Sequence, residues 1–146
     1  MSGSRHAERQ RAVALLYEAD LRGDDPADVL ARSDETDDPP AAFTVELVTG
    51  VAGARGELDR LIEAYARGWT IERMPVVDRN LLRIGLWELI GSDVPVAVVI
   101  DEAVELANEL STPDSGRFIN GLLAQVARSE DQVTAMRGGA TDARSR

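Results

Sequence analysis

VVDRNLLRIGLWELI, residues 76–90, decides the fold of this 146-residue chain. Its apolar residues cover nearly the whole circumference of a helical wheel, and a helix that is apolar all round is a buried one. Pro75 begins the segment and Gly91 ends it, as helix start and stop signals do. We therefore predict a central helix surrounded by the rest of the fold. The apolar positions are Val76, Val77, Leu81, Leu82, Ile84, Leu86, Trp87, Leu89 and Ile90.

Apolar residues recur at helical spacing on both sides of this segment, and no stretch shows the alternation of apolar and polar residues that is typical of a strand. The chain is therefore predicted to be all-α. Gly23 is placed to end the first helix, Asp25-Pro26 to begin a second, and Thr112-Pro113-Asp114 to begin the last. Glycines 50, 53 and 56 either bend the third helix or mark close helix contact. The predicted helices span residues 4–22, 26–31, 41–68, 76–90, 96–110 and 115–128, with an acidic loop at 33–40.

The pattern predicts one helical domain over residues 1–137 and a disordered tail at 138–146, which lacks an apolar anchor. No run of apolar residues is long enough for a transmembrane helix. The amino terminus leads into charged residues and does not resemble a secretion signal. We therefore expect a cytoplasmic protein with no membrane contact.

Composition excludes most catalytic chemistry. The chain has no cysteine and a single histidine, His6, which argues against a histidine-based zinc site. No glycine-rich phosphate loop and no serine nucleophile elbow occurs. The pairs Asp101-Glu102 and Glu105-Glu109 fall on the wet face of an amphipathic helix and are interpreted as solvated. We therefore predict no enzyme, no metal and no cofactor.

Positive charge is concentrated at the start of a strongly acidic chain. The net charge is −10, yet Arg5, Arg9 and Arg11 stand against Glu8 alone at the beginning of the first helix. Arg5 and Arg9 lie in line with Leu16, which should face the core. Since arginines there are not expected to be buried, the first turns should overhang the bundle or border a groove. The segment is either a frayed helix start or an arm that reads phosphates.

The segment DSGRFING, residues 114–121, combines a helix amino terminus, an arginine and an aromatic ring. Single-stranded RNA is recognised by such a combination, with a base on the ring and a phosphate on the guanidinium. This interpretation makes Asp114, Arg117 and Phe118 candidate contacts. The alternative is that Phe118 belongs to the core.

Asp78, Arg79 and Arg83 are polar positions in the otherwise apolar central helix. Such a stripe either forms a structural ion pair with a carboxylate or faces another protein. The sequence leaves both interpretations open.

Several motifs in order resemble those of the NusB family. RHAERQRAVALLYE, residues 5–18, is similar to its arginine-rich first helix, and DRNLLRIGLWEL, residues 78–89, to its Leu-Arg-Ile-x-x-x-Glu-Leu helix. Val94-Pro95, IDEAVELA at 100–107 and FINGLL at 118–123 match further family signatures. The spacing is compatible over residues 5–128, and the lysine-free, acidic composition resembles actinobacterial members.

The resemblance implies about seven helices in two small bundles packed across each other. It also implies transcription antitermination: binding of boxA RNA together with ribosomal protein NusE, indirect contact with other Nus factors and RNA polymerase, and support of rRNA transcription. The resemblance also implies that Tyr17 and Asp78 belong to the protein-partner surface, and Asp78 replaces a longer glutamate of some members. The implied RNA contacts are Arg5, Arg9, Arg11, Asp114, Arg117 and Phe118.

Three other functions remain open at this point. A related domain occurs fused to rRNA cytosine methyltransferases, but this chain has no cysteine nucleophile. A helical homodimer is the second alternative. A helix-turn-helix DNA-binding protein is the third, although the helix at 96–110 is acidic where a recognition helix would be basic.

Overall fold

The computed structural model describes residues 2–129, and these contain six α-helices, one 3₁₀ turn and no strand. The all-α prediction is confirmed, and the implied count of about seven helices is slightly too high. The expectations for residues 130–137 and for a disordered tail at 138–146 lie outside the described residues. The helices are α1 Ser2–Arg22, α2 Pro26–Asp34, α3 Ala42–Tyr65, α4 Val76–Gly91, α5 Val96–Leu110 and α6 Pro113–Arg128, and the 3₁₀ turn is Ile71–Arg73.

Helix α4 is the centre of the fold, as its all-round apolar pattern predicts. It packs against α1, α3, α5 and α6. Leu82 and Leu86 are completely buried, and even its glycine, Gly85, is buried against Leu123 of α6. Helices α1 to α3 contact one another, and so do α4 to α6. These two sets of three mutually contacting helices fit the predicted two bundles. The prediction that the bundles are packed across each other is not tested.

The predicted cap residues define the helix ends. Gly23 has a φ of +68°, a left-handed conformation that favours glycine at a helix carboxyl terminus. The Asp25 carboxylate accepts a hydrogen bond from the backbone N–H of Ala27 at 2.9 Å. Thr112 accepts one from the N–H of Ser115 at 3.0 Å, so α6 begins at Pro113, two residues earlier than predicted.

Helix α3 runs unbroken past its three glycines and ends at Tyr65, before the predicted limit of residue 68. Gly50 is the position where close contact explains the glycine. A Cβ added there would collide with the indole ring of Trp87 in α4, whereas one added at Gly53 or Gly56 would meet nothing within 4 Å. The interpretation of the cluster as close helix contact is confirmed at Gly50, while the alternative of a bend stays a prediction.

Two matched substitutions test this contact. Gly50→Ala should lower the free energy of unfolding by about 1–3 kcal/mol, because the methyl group overpacks the α3–α4 contact. Gly53→Ala should raise it by about 0.5–1 kcal/mol, because an open helix position gains helix propensity. Urea unfolding of both variants measures the difference. Equal effects at the two positions would show that the indole ring does not restrict Gly50.

The polar stripe of α4 forms a structural ion network. Arg83 is 1% exposed, and its guanidinium donates to both carboxylate oxygens of Asp59 at 2.8 and 3.0 Å and to Asp20 at 2.9 Å. Arg79 also donates to Asp20, at 3.1 Å, and so does Asn80, at 2.9 Å. The network joins α4 to α1 and α3. Of the two interpretations of Arg79 and Arg83, the ion pair is therefore correct.

Asp20 should give the fold a measurable sensitivity to acid. Burial by itself raises the pKa of this carboxyl, but the hydrogen bond from Asn80 and the charges of Arg83, Arg55 and Arg79 outweigh it and hold the pKa below its usual value. The ionised group therefore stabilises the fold above its unfolded pKa of about 3.9. That contribution is lost as the pH falls through the lowered folded pKa.

The Asp20→Asn variant should consequently be less stable than the wild type at pH 7, and the difference should shrink below about pH 4. Urea unfolding at several pH values measures it. Asp93→Asn, which neutralises an exposed aspartate, is the control and should follow the wild-type curve. A difference between Asp20→Asn and wild type that does not change with pH would contradict the assignment.

Candidate nucleic-acid interface

The three predicted arm arginines lie in three different environments. Arg5 is exposed, and its guanidinium carbon lies 3.9 Å from the centre of the Phe43 ring in α3. This cation–π contact orients the side chain without covering it. Arg5 is therefore accessible to a phosphate.

Arg9 is 4% exposed, so the expectation that an arginine on this stripe is not buried is wrong. Its guanidinium donates to both oxygens of Glu88 in α4, at 2.9 and 3.1 Å, and Glu88 is itself 1% exposed. This bidentate arginine–carboxylate ion pair neutralises both buried charges inside the bundle. The first turns of α1 are thus packed against the fold at this position. The role of Arg9 as an RNA contact stays a prediction. In this structure its guanidinium is hydrogen-bonded to Glu88.

Arg11 faces the acidic loop that connects α2 and α3. One of its terminal nitrogens donates to the Asp38 carboxylate at 3.2 Å, and the other donates to the Asp38 backbone carbonyl at 2.9 Å. The Asp38 side chain is 91% exposed, so solvent screens this pair. A phosphate can therefore compete with Asp38 for Arg11.

His6 forms a cluster that the sequence analysis missed. Its Nδ1 lies 2.8 Å from a Glu102 oxygen, and its Nε2 lies 3.1 Å from each oxygen of Glu109, both in α5. The hydrogen bonds to Glu102 and then to Glu109 raise the pKa of His6. The partners lie 96 and 103 residues away, and only the amphipathic pattern of α5 hinted at its glutamates. This cluster fastens the start of α1 to α5.

The beginning of α6 exposes two of the three residues predicted from DSGRFING. The Asp114 and Arg117 side chains are 87% and 73% exposed and form an ion pair with each other. Arg117 lines a depression of about 390 Å³ together with Asp101, Asn108 and Asn120. Both residues are open to a ligand.

Phe118 lies on a different side of α6 from Arg117. It is half-buried against the core, which the alternative interpretation predicted in part, and it also lines a cavity of about 290 Å³. The cavity has largely apolar walls. Its other lining residues are Trp69, Met74, Pro75, Asp78, Asp114 and Ser115.

Asp78 lines the same cavity as Phe118. The carboxylate is 4% exposed, and its Oδ2 accepts a hydrogen bond from the Ser115 hydroxyl at 2.7 Å. Within residues 2–129, Oδ1 is the buried side-chain oxygen or nitrogen that has no hydrogen-bond partner. A buried acceptor without a partner costs about 1–3 kcal/mol relative to a satisfied one. Asp78 was predicted on the protein-partner surface, but the structure buries it in a cavity that it shares with Asp114 and Phe118, two of the predicted RNA contacts.

Tyr17 belongs to a separate groove. Its side chain is exposed and lines an apolar depression of about 360 Å³ between α1, α4 and the end of α5. Gln10, Val13, Ala14, Val77 and Leu110 form the rest of the groove.

No helix within residues 2–129 has the length and apolar character needed to cross a membrane. Residues 2–129 thus form an all-α fold built on one buried helix, with two depressions at the beginning of the last helix and the Tyr17 groove between α1, α4 and α5. The chain belongs to the NusB family, whose model matches residues 6–128.

Two relatives show how closely it follows the family. The transcription antitermination protein NusB of Acidothermus cellulolyticus is 49% identical over 134 residues, which cover 90% of this chain and 92% of the relative. That of Saccharopolyspora erythraea is 50% identical over 142 residues, covering 94% and 96%.

Two solved structures agree with the fold. NusB of T. maritima has a TM-score of 0.75 and 31% identity, covering 85% of this chain and 90% of that one. A chain from the crystal structure of NusB and NusE in complex with double-stranded RNA has a TM-score of 0.73 and 29% identity, covering 88% and 99%.

Proposed function

We propose that this chain is a non-catalytic transcription antitermination factor of the cytoplasm. It binds boxA RNA together with ribosomal protein NusE, acts on RNA polymerase with other Nus factors, and supports rRNA transcription. Membership of the NusB family and the names of the relatives support antitermination. The similar chain solved with NusE and RNA supports both kinds of partner.

The observation that carries the RNA part of the proposal is the cavity of about 290 Å³ that Asp78 and Phe118 line, called the Asp78 cavity below. Its walls present the Trp69 and Phe118 rings, and Asp78 Oδ1 is a buried acceptor without a partner. An unpaired base offers a flat face for an aromatic ring and N–H donors on its edge. We propose that a base stacks on Phe118 and that a base N–H donates to Asp78.

Phosphates are assigned to the accessible guanidiniums. Arg5 and Arg117 are exposed, and Arg11 is released from Asp38 when a phosphate replaces that carboxylate. Asp114, which lines the cavity of Asp78, pairs with Arg117, which lines the neighbouring depression. Arg9 contributes through its pair with Glu88, which fixes the helix that carries Arg5 and Arg11.

The charge of the chain explains why a partner is needed. About three phosphate contacts give a salt slope near −2 for single-stranded RNA, which is weak binding. The net charge of −10 opposes even this attraction. We propose that NusE supplies further contacts and docks on the apolar groove that contains Tyr17. A homodimer formed through the same groove would compete with NusE, and light scattering over a range of concentrations would detect it.

Fluorescence tests the cavity directly, because the chain has two tryptophans and one of them lines it. In a Trp87→Phe variant, boxA RNA added to the preformed complex with NusE should quench or shift the emission of Trp69. The matched Trp69→Phe variant keeps Trp87, which packs against Gly50, and should show little change. Equal responses from the two variants would place the RNA elsewhere.

A further inference from the structure

His6 and the glutamates of α5 form a set of metal-ligating groups outside the proposed RNA site. One ligand atom from each of His6, Glu105 and Glu109 lies within 4.8 Å of the others. Zinc bound at about 2.0–2.1 Å would bring such atoms to about 3.4 Å from one another. Glu105 and Glu109 are exposed and can close this difference by side-chain rotation.

The Nδ1 nitrogen of His6 is hydrogen-bonded to a carboxylate, as is usual for the ring nitrogen of a metal-binding histidine that does not face the metal. Glu102 Oε2 lies 2.8 Å from Nδ1, and an Arg9 nitrogen lies 3.9 Å from the same oxygen. Both ring nitrogens face carboxylate oxygens, so each donates a proton in the metal-free protein; a bound ion would replace the Nε2 proton, while Glu102 keeps the Nδ1 proton and orients the ring. Nε2 is the atom that faces both oxygens of Glu109. The imidazole is therefore oriented toward the other two ligands.

We propose that this cluster is a site for a divalent transition-metal ion, with zinc as the best match. His6 Nε2, Glu105 and Glu109 bind the ion, water completes the coordination, and Glu102 holds the imidazole. One imidazole with carboxylates favours zinc over magnesium or calcium, which prefer oxygen ligands alone. Three glutamates around one histidine also attract a cation. The single histidine argued against a zinc site in the sequence, but the fold supplies carboxylates that are distant in the chain.

The ion would join the first turns of α1 to α5. His6 follows Arg5 directly, so the bound ion would restrain the segment that presents Arg5. Hydrogen exchange of backbone amides at residues 5–9 should therefore slow when zinc is added. This inference does not depend on the proposed RNA function.

Competition with a chromogenic zinc chelator tests the site on the full chain without a polyhistidine tag. We expect wild type to bind one zinc ion that a tenfold excess of magnesium does not displace. His6→Gln and Glu109→Gln should each bind it at least about 10-fold more weakly, because even loss of a group that only supports a ligand costs 10–100-fold. Glu57→Gln removes the same charge from an exposed position in α3 and should bind like wild type.

Thermal unfolding with zinc and with a chelator gives a second measurement, since a ligand that binds only the folded state raises the melting temperature. Circular dichroism confirms that the variants fold. The proposal is overturned if His6→Gln binds zinc as tightly as wild type, because scattered surface carboxylates would then explain the binding. It is also overturned if wild type binds no zinc and His6 acts only as a protonated link between α1 and α5.

Discussion

An Arg9→Met variant is expected to lose about 3–5 kcal/mol of unfolding free energy, as buried pairs do when one partner is removed. The substitution leaves the Glu88 carboxyl group 1% exposed, with no cation in place of the guanidinium. Equilibrium urea unfolding measures the loss. Arg60→Met removes an arginine from an exposed position of α3 and should change the stability by less than about 0.5 kcal/mol.

The double variant Arg9→Met, Glu88→Met should regain most of that stability. Replacing a buried ion pair by apolar residues of similar volume is often neutral or stabilising. A double variant as unstable as Arg9→Met would contradict the assignment of the loss to an unpaired carboxylate.

The folded double variant also separates two roles of Arg9. If Arg9 only positions α1, the double variant should bind boxA RNA and NusE nearly as well as wild type. If Arg9 leaves Glu88 and contacts RNA itself, the affinity should fall while the stability is retained. A simple Arg9→Ala variant cannot distinguish these roles, since unfolding alone would abolish binding.

Phe118→Leu is expected to weaken RNA binding by about 1–3 kcal/mol, which is about 5–150-fold, because the base loses its aromatic platform. Leucine keeps much of the apolar volume packed against the core, so the free energy of unfolding should change by less than about 1.5 kcal/mol. Fluorescence anisotropy with labelled boxA RNA in the presence of NusE measures the affinity.

Val98→Ala is the control, because it removes exposed apolar surface from α5 and should leave RNA binding unchanged. Unchanged RNA affinity in Phe118→Leu would mean that Phe118 serves the core alone. Unfolding of the variant would lead to the same conclusion.

The fold follows from local patterns. The all-round apolar surface of residues 76–90 predicts the central helix, and Gly23, Asp25 and Thr112 predict helix ends that their backbone angles and hydrogen bonds confirm. Helix α3 continues past Gly50, Gly53 and Gly56 despite the low helix propensity of glycine, and close packing explains the glycine at position 50. What Gly50 contacts depends on Trp87, which is distant in the sequence.

The site was harder to predict because its key contacts join distant segments. The helical wheel correctly placed Arg9 in line with the core, but a charge there was taken to exclude burial. Glu88 was the signal that could have corrected this, because a glutamate inside an apolar helix requires a cation. The orphan oxygen of Asp78 has no counterpart in any local pattern, since the cavity that Asp78 lines is completed by Trp69 and by Ser115 and Phe118 of α6, from two distant parts of the chain.

The affinity of the wild-type chain for boxA RNA, measured with and without NusE and against a scrambled RNA at one fixed salt concentration, tests the central claim most directly. We expect tight binding only for boxA and only when NusE is present, because the three arginines assigned to phosphates, Arg5, Arg11 and Arg117, cannot alone overcome the net charge of −10. Equal affinity with and without NusE, or equal affinity for the scrambled RNA, would contradict the account.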